Sequence, residues 1–213
     1  MSQVVVIDYG MGNLKSVHRG LEKVGAEVLI SSDPDEIATA ERLVLPGVGA
    51  FEDGMKGLTE SGVLPAIKEF VLTGRPLIGI CLGMQMLFSQ SDEQGVHQGL
   101  GFIPGTVKKI PSHDDAGFRR KIPHIGWSAL LLPAGRSDWS RTLLTETKEG
   151  DFFYFVHSYM GVPESDTDLI AECEYDEQMI AAVVQKDNIT GLQFHPEKSC
   201  GSGLRILKQF VDS

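Results

Sequence analysis

Two short segments hold residue types able to do nucleophilic chemistry. Gly79-Ile80-Cys81-Leu82-Gly83 sets a cysteine between an apolar run and the start of a helical one. Flanking glycines relieve crowding in a tight strand-to-helix turn, so a side chain there projects above the sheet, and the helix N-terminus behind it favours thiolate over thiol. Near the other end of the chain runs Gly191-Leu192-Gln193-Phe194-His195-Pro196-Glu197-Lys198-Ser199. Pro196 predicts extended backbone across His195 and Glu197, with both side chains facing one way, so that the carboxylate fixes the imidazole in one tautomer. A third segment, Pro46-Gly47-Val48-Gly49, closes a strand-like run. Backbone N–H groups at Val48 or Gly49, together with the amide of Leu82, could hold an oxyanion. Nucleophile, oriented base and oxyanion donors together spell acyl transfer. Each segment alone has an ordinary alternative: a small hydrophobe at a strand end, a plain loop His and Glu, a simple turn.

The elements that must position these residues follow from periodicity. Over the first 90 residues, β-branched runs alternate with segments of helical period, the pattern of a parallel sheet flanked by helices. Strands are predicted at Val4 to Ile7, Val28 to Ile30, Leu43 to Leu45 and Leu77 to Ile80. Helices are predicted from Leu14 to Val24 with Gly25 as the stop, from Asp33-Pro34 through Ala40, from Leu64 to Leu72, and from Leu82 onward. Beyond residue 100 the runs at Phe152 to Val156, Leu169 to Ala171, Ile180 to Val184 and Ile189 to Phe194 read as antiparallel additions to the sheet. Ser112 to Arg120 reads as a surface loop, and Leu204, Leu207, Phe210 and Val211 as the apolar stripe of a closing helix. The fold class is therefore an open, mostly parallel α/β sheet with helices on both faces. The reactive segments all fall at carboxyl ends of strands, where such sheets place their ligand crevice.

Composition narrows the partners. The 213 residues are 42% hydrophobic, enough for one sizeable core and a single domain over 1–213. With 19 basic and 29 acidic residues, the net charge of −10 offers no grip on phosphate backbones or anionic lipid, which excludes nucleic acid and membrane surfaces. Cys81, Cys173 and Cys200 form no C-x-x-C pair, and the start MSQVVVIDYG lacks a basic leader, so a cytoplasmic protein with reduced thiols is expected. Gly10-Met11-Gly12 imitates a dinucleotide fingerprint, but Lys15 stands where its third glycine belongs, so no NAD or FAD is expected. A metal hydrolase built on Cys81, His195, Glu197 and Cys200 fits poorly, because neither H-E-x-x-H nor C-x-x-C occurs. No cofactor and no metal are expected.

Taken together, GICLGMQ from Gly79 and GLQFHPEKS from Gly191 resemble the class I, triad-type glutamine amidotransferases. The family's Cys-His-Glu triad then falls on Cys81, His195 and Glu197. Within that class, DYGMGN from Asp8, LPGVGAF from Leu45, PHIGW from Pro123, YFVHSY from Tyr154 and the AAVVQKDNITGLQFHPEKS run from Ala181 resemble the glutaminase subunits of imidazole glycerol phosphate synthases. Ser128 departs from the usual Asn after G-W, and Cys200 sits at a variable position.

The resemblance implies hydrolysis of L-glutamine, with Gln85, Glu93, Ser158 and Tyr159 reading the amino-acid end of the substrate. It also implies docking on a (β/α)₈ cyclase subunit as a heterodimer, the ammonia passing through an internal channel to make imidazole glycerol phosphate and AICAR for histidine synthesis. Asn13, Trp127 and Lys198 are the expected docking residues, although Trp127 reads equally as core packing. His157 reads as a satisfied sheet histidine. Two further readings compete: a glutaminase serving another acceptor, such as a sugar, and an amidotransferase-like binding subunit without catalysis.

Overall fold

The computed structural model describes residues 2–114 and 116–213. Its first half alternates strand and helix: β1 (Gln3–Ile7), α1 (Leu14–Lys23), β2 (Glu27–Ser31), α2 (Pro34–Thr39), β3 (Arg42–Leu45), α3 (Phe51–Glu60), α4 (Leu64–Leu72), β4 (Leu77–Ile80) and α5 (Leu82–Met86). The second half is strand-rich: β5 (Phe88–Ser91), β6 (His97–Gln98), β7 (Ile103–Lys109), β8 (His124–Ala129), β9 (Phe152–His157), β10 (Tyr159–Pro163), β11 (Leu169–Tyr175), β12 (Gln178–Lys186) and β13 (Ile189–Leu192), closed by α6 (Cys200–Asp212).

The main sheet runs β11-β12-β13-β4-β3-β1-β2. Its five strands from β13 to β2 pair in parallel, while β12 is antiparallel to β13 and β11 to β12. Alternation along β1 divides the core: Val4 and Val6 face the layer of α1 and α6, whereas Val5 and Ile7 face the layer with Ile67 and Phe70 of α4. Helix ends follow their sequence signals. Asp33 caps α2 by accepting from the amides of Asp35 and Glu36, Pro34 occupies its first turn, and Gly25 leaves α1 at φ +92°.

Two expectations need correction. Phe152 to Val156 does not extend the main sheet; as β9 it pairs with β8 in a separate two-stranded ribbon. The run from Ile189 is not purely an antiparallel addition either, since β13 is parallel to β4 and antiparallel to β12. The Ser112 to Arg120 loop is anchored rather than merely exposed: Arg120 is buried and donates to the carbonyls of Pro111, His113 and Asp176. Asp115 of that loop lies outside the described residues. Helix α3 escaped the periodicity because Gly54 and Gly57 interrupt it. A Cβ at Gly54 would meet Met86 Sδ at 2.7 Å and one at Gly57 the Tyr9 carbonyl at 2.8 Å, so close packing, which periodicity does not register, selects glycine there. A small four-stranded sheet, β10-β7-β5-β6, also went unread. Among the described residues no helix is long and apolar enough to cross a membrane.

Candidate active site

Strand β4 delivers Cys81 into a sharp turn with φ 55° and ψ −110°, a left-handed conformation costly for any residue with a side chain. The neighbouring glycines permit it. A Cβ at Gly79 would stand 2.8 Å from the Gly83 carbonyl oxygen, and one at Gly83 would collide with the Leu45 carbonyl of β3. The strand-to-helix turn can therefore close only with glycine on both sides. Leu82 opens α5, so its N–H has no acceptor within the helix. The Pro46 to Gly49 turn packs directly against it: Tyr9 donates its hydroxyl to the Pro46 carbonyl at 2.7 Å, and Gly49 takes φ +109°. Burial, and then proximity to Cys81, pushes the Tyr9 phenol well above its usual range, so it stays a neutral donor.

Strand β13 delivers the second segment to the same edge. His195 donates from Nδ1 to Glu197 Oε1 at 2.8 Å, and the Glu197 side chain is fully buried. The backbone that achieves this is not extended, as expected from Pro196, but a single 3₁₀ turn over Pro196–Lys198. Ser199 Oγ ties the turn down by donating to the His195 carbonyl at 2.7 Å. Because the carboxylate can only accept, Nδ1 carries a proton, and His195 Nε2 is left buried without a hydrogen bond, on the cleft side with Cys81. Burial acts to lower the basicity of His195, but pairing with Cys81 and with Glu197 outweighs it and raises its pKa to about 9.

These groups meet in a cleft of about 370 Å³ lined by Val48, Gly49, Cys81, Leu82, Gln85, Glu93, Pro123, Val156, His157, Ser158, Tyr159 and His195. All the residues expected to bind glutamine or the oxyanion are thus brought together with Cys81 and His195. Gln85 is buried and donates to the Tyr159 carbonyl at 3.0 Å, and Glu93 accepts from the Phe51 amide at 2.8 Å. A cavity of about 300 Å³ at the opposite sheet edge, by Pro76 and Asn188, contains no cysteine or histidine. Among the described residues no group of three or more His, Cys, Asp or Glu could hold a metal.

The expected docking residues lie outside the cleft. Asn13 sits half-buried at the start of α1, and Lys198 is exposed with its ammonium 6.0 Å from the Tyr154 ring centroid. Trp127 is not core: it is 47% exposed, on an outer face of the β8–β9 ribbon that also shows Ile125 at 55% and Phe152 at 56%. His157 is satisfied, as expected, yet it also lines the cleft. Its Nδ1 donates to the Tyr159 carbonyl at 2.8 Å, its Nε2 therefore accepts from His124 Nδ1 at 3.0 Å, and Ser128 Oγ donates to His124 Nε2 at 3.0 Å. Burial holds His157 down at about 3 and His124 at about 4, so both are neutral. Sequence reasoning gave no role to His124, Tyr9 or Gln193. The available signal was a polar side chain inside or beside an apolar run.

The glutamine amidotransferase class-I family profile matches residues 5–213. The chain is 50% identical over 211 residues to the imidazole glycerol phosphate synthase subunit HisH 1 of Legionella pneumophila (strain Lens), covering 99% of each protein. It is 44% identical to the HisH subunit of Geobacter sulfurreducens over 99% of this chain and 98% of that one. It is 46% identical to that of Geobacillus thermodenitrificans, covering 99% and 96% respectively. Among solved structures, PurLQS from Thermotoga maritima superposes with a TM-score of 0.72 at 20% identity, over 99% of this chain and 98% of that one. A crystal structure of a glutamine amidotransferase gives 0.72 at 16% identity, over 98% and 97%. These two likenesses speak to the fold. With a family match over almost its whole length and a cysteine elbow facing an oriented histidine, the chain belongs to the class I glutamine amidotransferases.

Proposed function

We propose that this chain is the glutaminase subunit of an imidazole glycerol phosphate synthase, a single glutamine amidotransferase domain serving histidine biosynthesis in the cytoplasm. The observation that carries the reading is the meeting of strained Cys81 and Glu197-oriented His195 in one cleft, in a chain 50% identical over nearly its full length to such a subunit.

In the reaction, Cys81 passes its proton to His195 Nε2 and attacks the side-chain carbonyl of glutamine as thiolate. The oxyanion is held by the Leu82 amide and one from Val48 or Gly49, while Gln85, Glu93, Ser158 and Tyr159 hold the amino-acid end. His195 gives its proton to the departing ammonia, leaving a glutamyl thioester. It then takes a proton from water, which attacks the thioester, and glutamate leaves as the thiolate and imidazolium re-form. Glu197 stabilises the imidazolium in both halves without itself becoming protonated.

Ammonia released into water is protonated and lost as a nucleophile, so productive chemistry calls for an acceptor enzyme docked over the cleft. The apolar ribbon face of Ile125, Trp127 and Phe152, with Lys198 beside it, supports docking there of a (β/α)₈ cyclase subunit, to which the ammonia passes by an internal channel. The heterodimer would then carry out the lyase step giving imidazole glycerol phosphate and AICAR. The test is glutamate release by the chain alone and with the cyclase subunit plus acceptor. Turnover is expected to be weak alone and to rise sharply with both. Equal turnover in the two conditions contradicts docking-dependent activity, and activation by a sugar-amidating partner would reassign the acceptor.

A further inference from the structure

The Cys81 sulfur has two hydrogen-bond neighbours, neither of them His195. It lies 3.9 Å from the Val156 carbonyl, which can accept from a thiol but repels a thiolate, and 3.9 Å from Nε2 of Gln193, which can donate to a thiolate. Gln193 is fully buried at the end of β13, its backbone N–H bonded to the Ala182 carbonyl at 2.9 Å.

The orientation of its amide is dictated from the far side of the pocket. A backbone carbonyl only accepts, so the Gln85 group 3.0 Å from the Tyr159 oxygen must be its NH₂. The second hydrogen of that NH₂ reaches Gln193 at 3.0 Å, and the atom it meets must be Oε1. The remaining end of Gln193, aimed at Cys81, is then the donor. We propose that Gln193 stabilises the Cys81 thiolate by donating to its sulfur, and that Gln85, fixed by the Tyr159 carbonyl in the glutamine pocket, is the positioning residue that aims it.

The step concerned is transfer of the thiol proton from Sγ to His195 Nε2, leaving thiolate and imidazolium. The Gln193 hydrogen bond strengthens as the sulfur gains charge and weakens when the thioester forms, so it also favours the thiolate as leaving group in the second half-reaction. Other polar and titratable groups around this cleft are His195 beyond β13, Tyr9 beyond β1, neutral His157 of β9, and Glu93, with Glu197 behind His195. None of these changes in the variants below.

The inference rests on Cys81 being the glutaminase nucleophile. Its test is the pH profile of iodoacetamide alkylation of the full chain, followed on the Cys81 peptide by mass spectrometry so that exposed Cys200 does not contribute. Gln193→Glu keeps an acceptor for Gln85 but turns the donor facing sulfur into an acceptor. Gln193→Met removes the donor without charge, and serves if the carboxylate prevents folding. Each variant is checked for a cooperative thermal transition. Alkylation at pH 7 is expected to slow about tenfold, with the midpoint moved to higher pH by about one unit, and Gln85→Met is expected to give a smaller shift in the same direction. Midpoints equal to the parent's in folded Gln193 variants overturn the proposal, leaving the glutaminase reading intact. Loss of glutamine protection of Cys81 in the parent would instead sink that reading.

Discussion

At the residue scale, the His195–Glu197 pair governs how the site responds to pH. In the proposed mechanism His195 must carry a proton to expel ammonia, and its pKa is raised to about 9, so kcat/KM is expected to fall as pH passes through about 9. Glu197→Gln removes the carboxylate that Nδ1 donates to at 2.8 Å and leaves an amide free to turn its NH₂ toward the ring. By analogy with other triads, glutaminase activity should drop by about 10³-fold or more, with the descending limb displaced to lower pH. A Glu197→Gln enzyme with the parent's profile would show that the pairing does not tune the histidine. The other cysteines sit in different environments. Burial, then Glu172, pushes Cys173 up to about 12, which leaves it inert, whereas Cys200 is exposed at the start of α6 and open to oxidants.

At the scale of elements, glycine decides whether the site can exist. Gly47 stands where an added Cβ would lie 2.8 Å from both the Gly83 amide nitrogen and the Tyr9 hydroxyl, and 2.9 Å from Leu82 Cβ. Gly47→Ala is expected to lower stability by about 1–3 kcal/mol and to push the Pro46 to Gly49 turn off α5. Thermal melts and glutaminase assays check both effects, and an unchanged melting temperature would contradict the packing described. The same close contacts explain what could be read in advance. The alternating strands β1 to β4 and the elbow were legible, because β-branched runs and a G-x-C-x-G are local signals. The ribbon partner of β9 was not, because nothing local distinguishes a strand that joins the main sheet from one that pairs with β8. Helix α3 hid behind Gly54 and Gly57, which serve contacts distant in sequence. The identity of His195 and Glu197 was legible in the motif, whereas the 3₁₀ turn joining them and the buried Gln193 and His124 depend on packing from β9 and β12.

At the scale of the whole molecule, three buried histidines set opposing pH dependences of stability. His124 at about 4 and His157 at about 3 lie below the unfolded value of about 6.5. The unfolded chain therefore takes up protons first, and stability drops as pH falls below about 6.5. His195 at about 9 works the other way: its contribution is complete below about 6.5 and is lost as pH rises through about 9. From these groups the melting temperature is expected to peak near pH 6.5, and a steady rise on acidification to pH 5 would contradict their burial as neutral rings. The exposed apolar face of Ile125, Trp127 and Phe152 is the surface proposed above for docking of the partner subunit. The central claim is that Cys81 is the nucleophile that glutamine acylates, and it is tested most directly by mapping the adduct formed with diazo-oxo-norleucine by mass spectrometry. The expected result is one adduct, on Cys81, suppressed by excess L-glutamine and lost in His195→Ala; no adduct on Cys81, or one on Cys200 that glutamine does not protect, would contradict it.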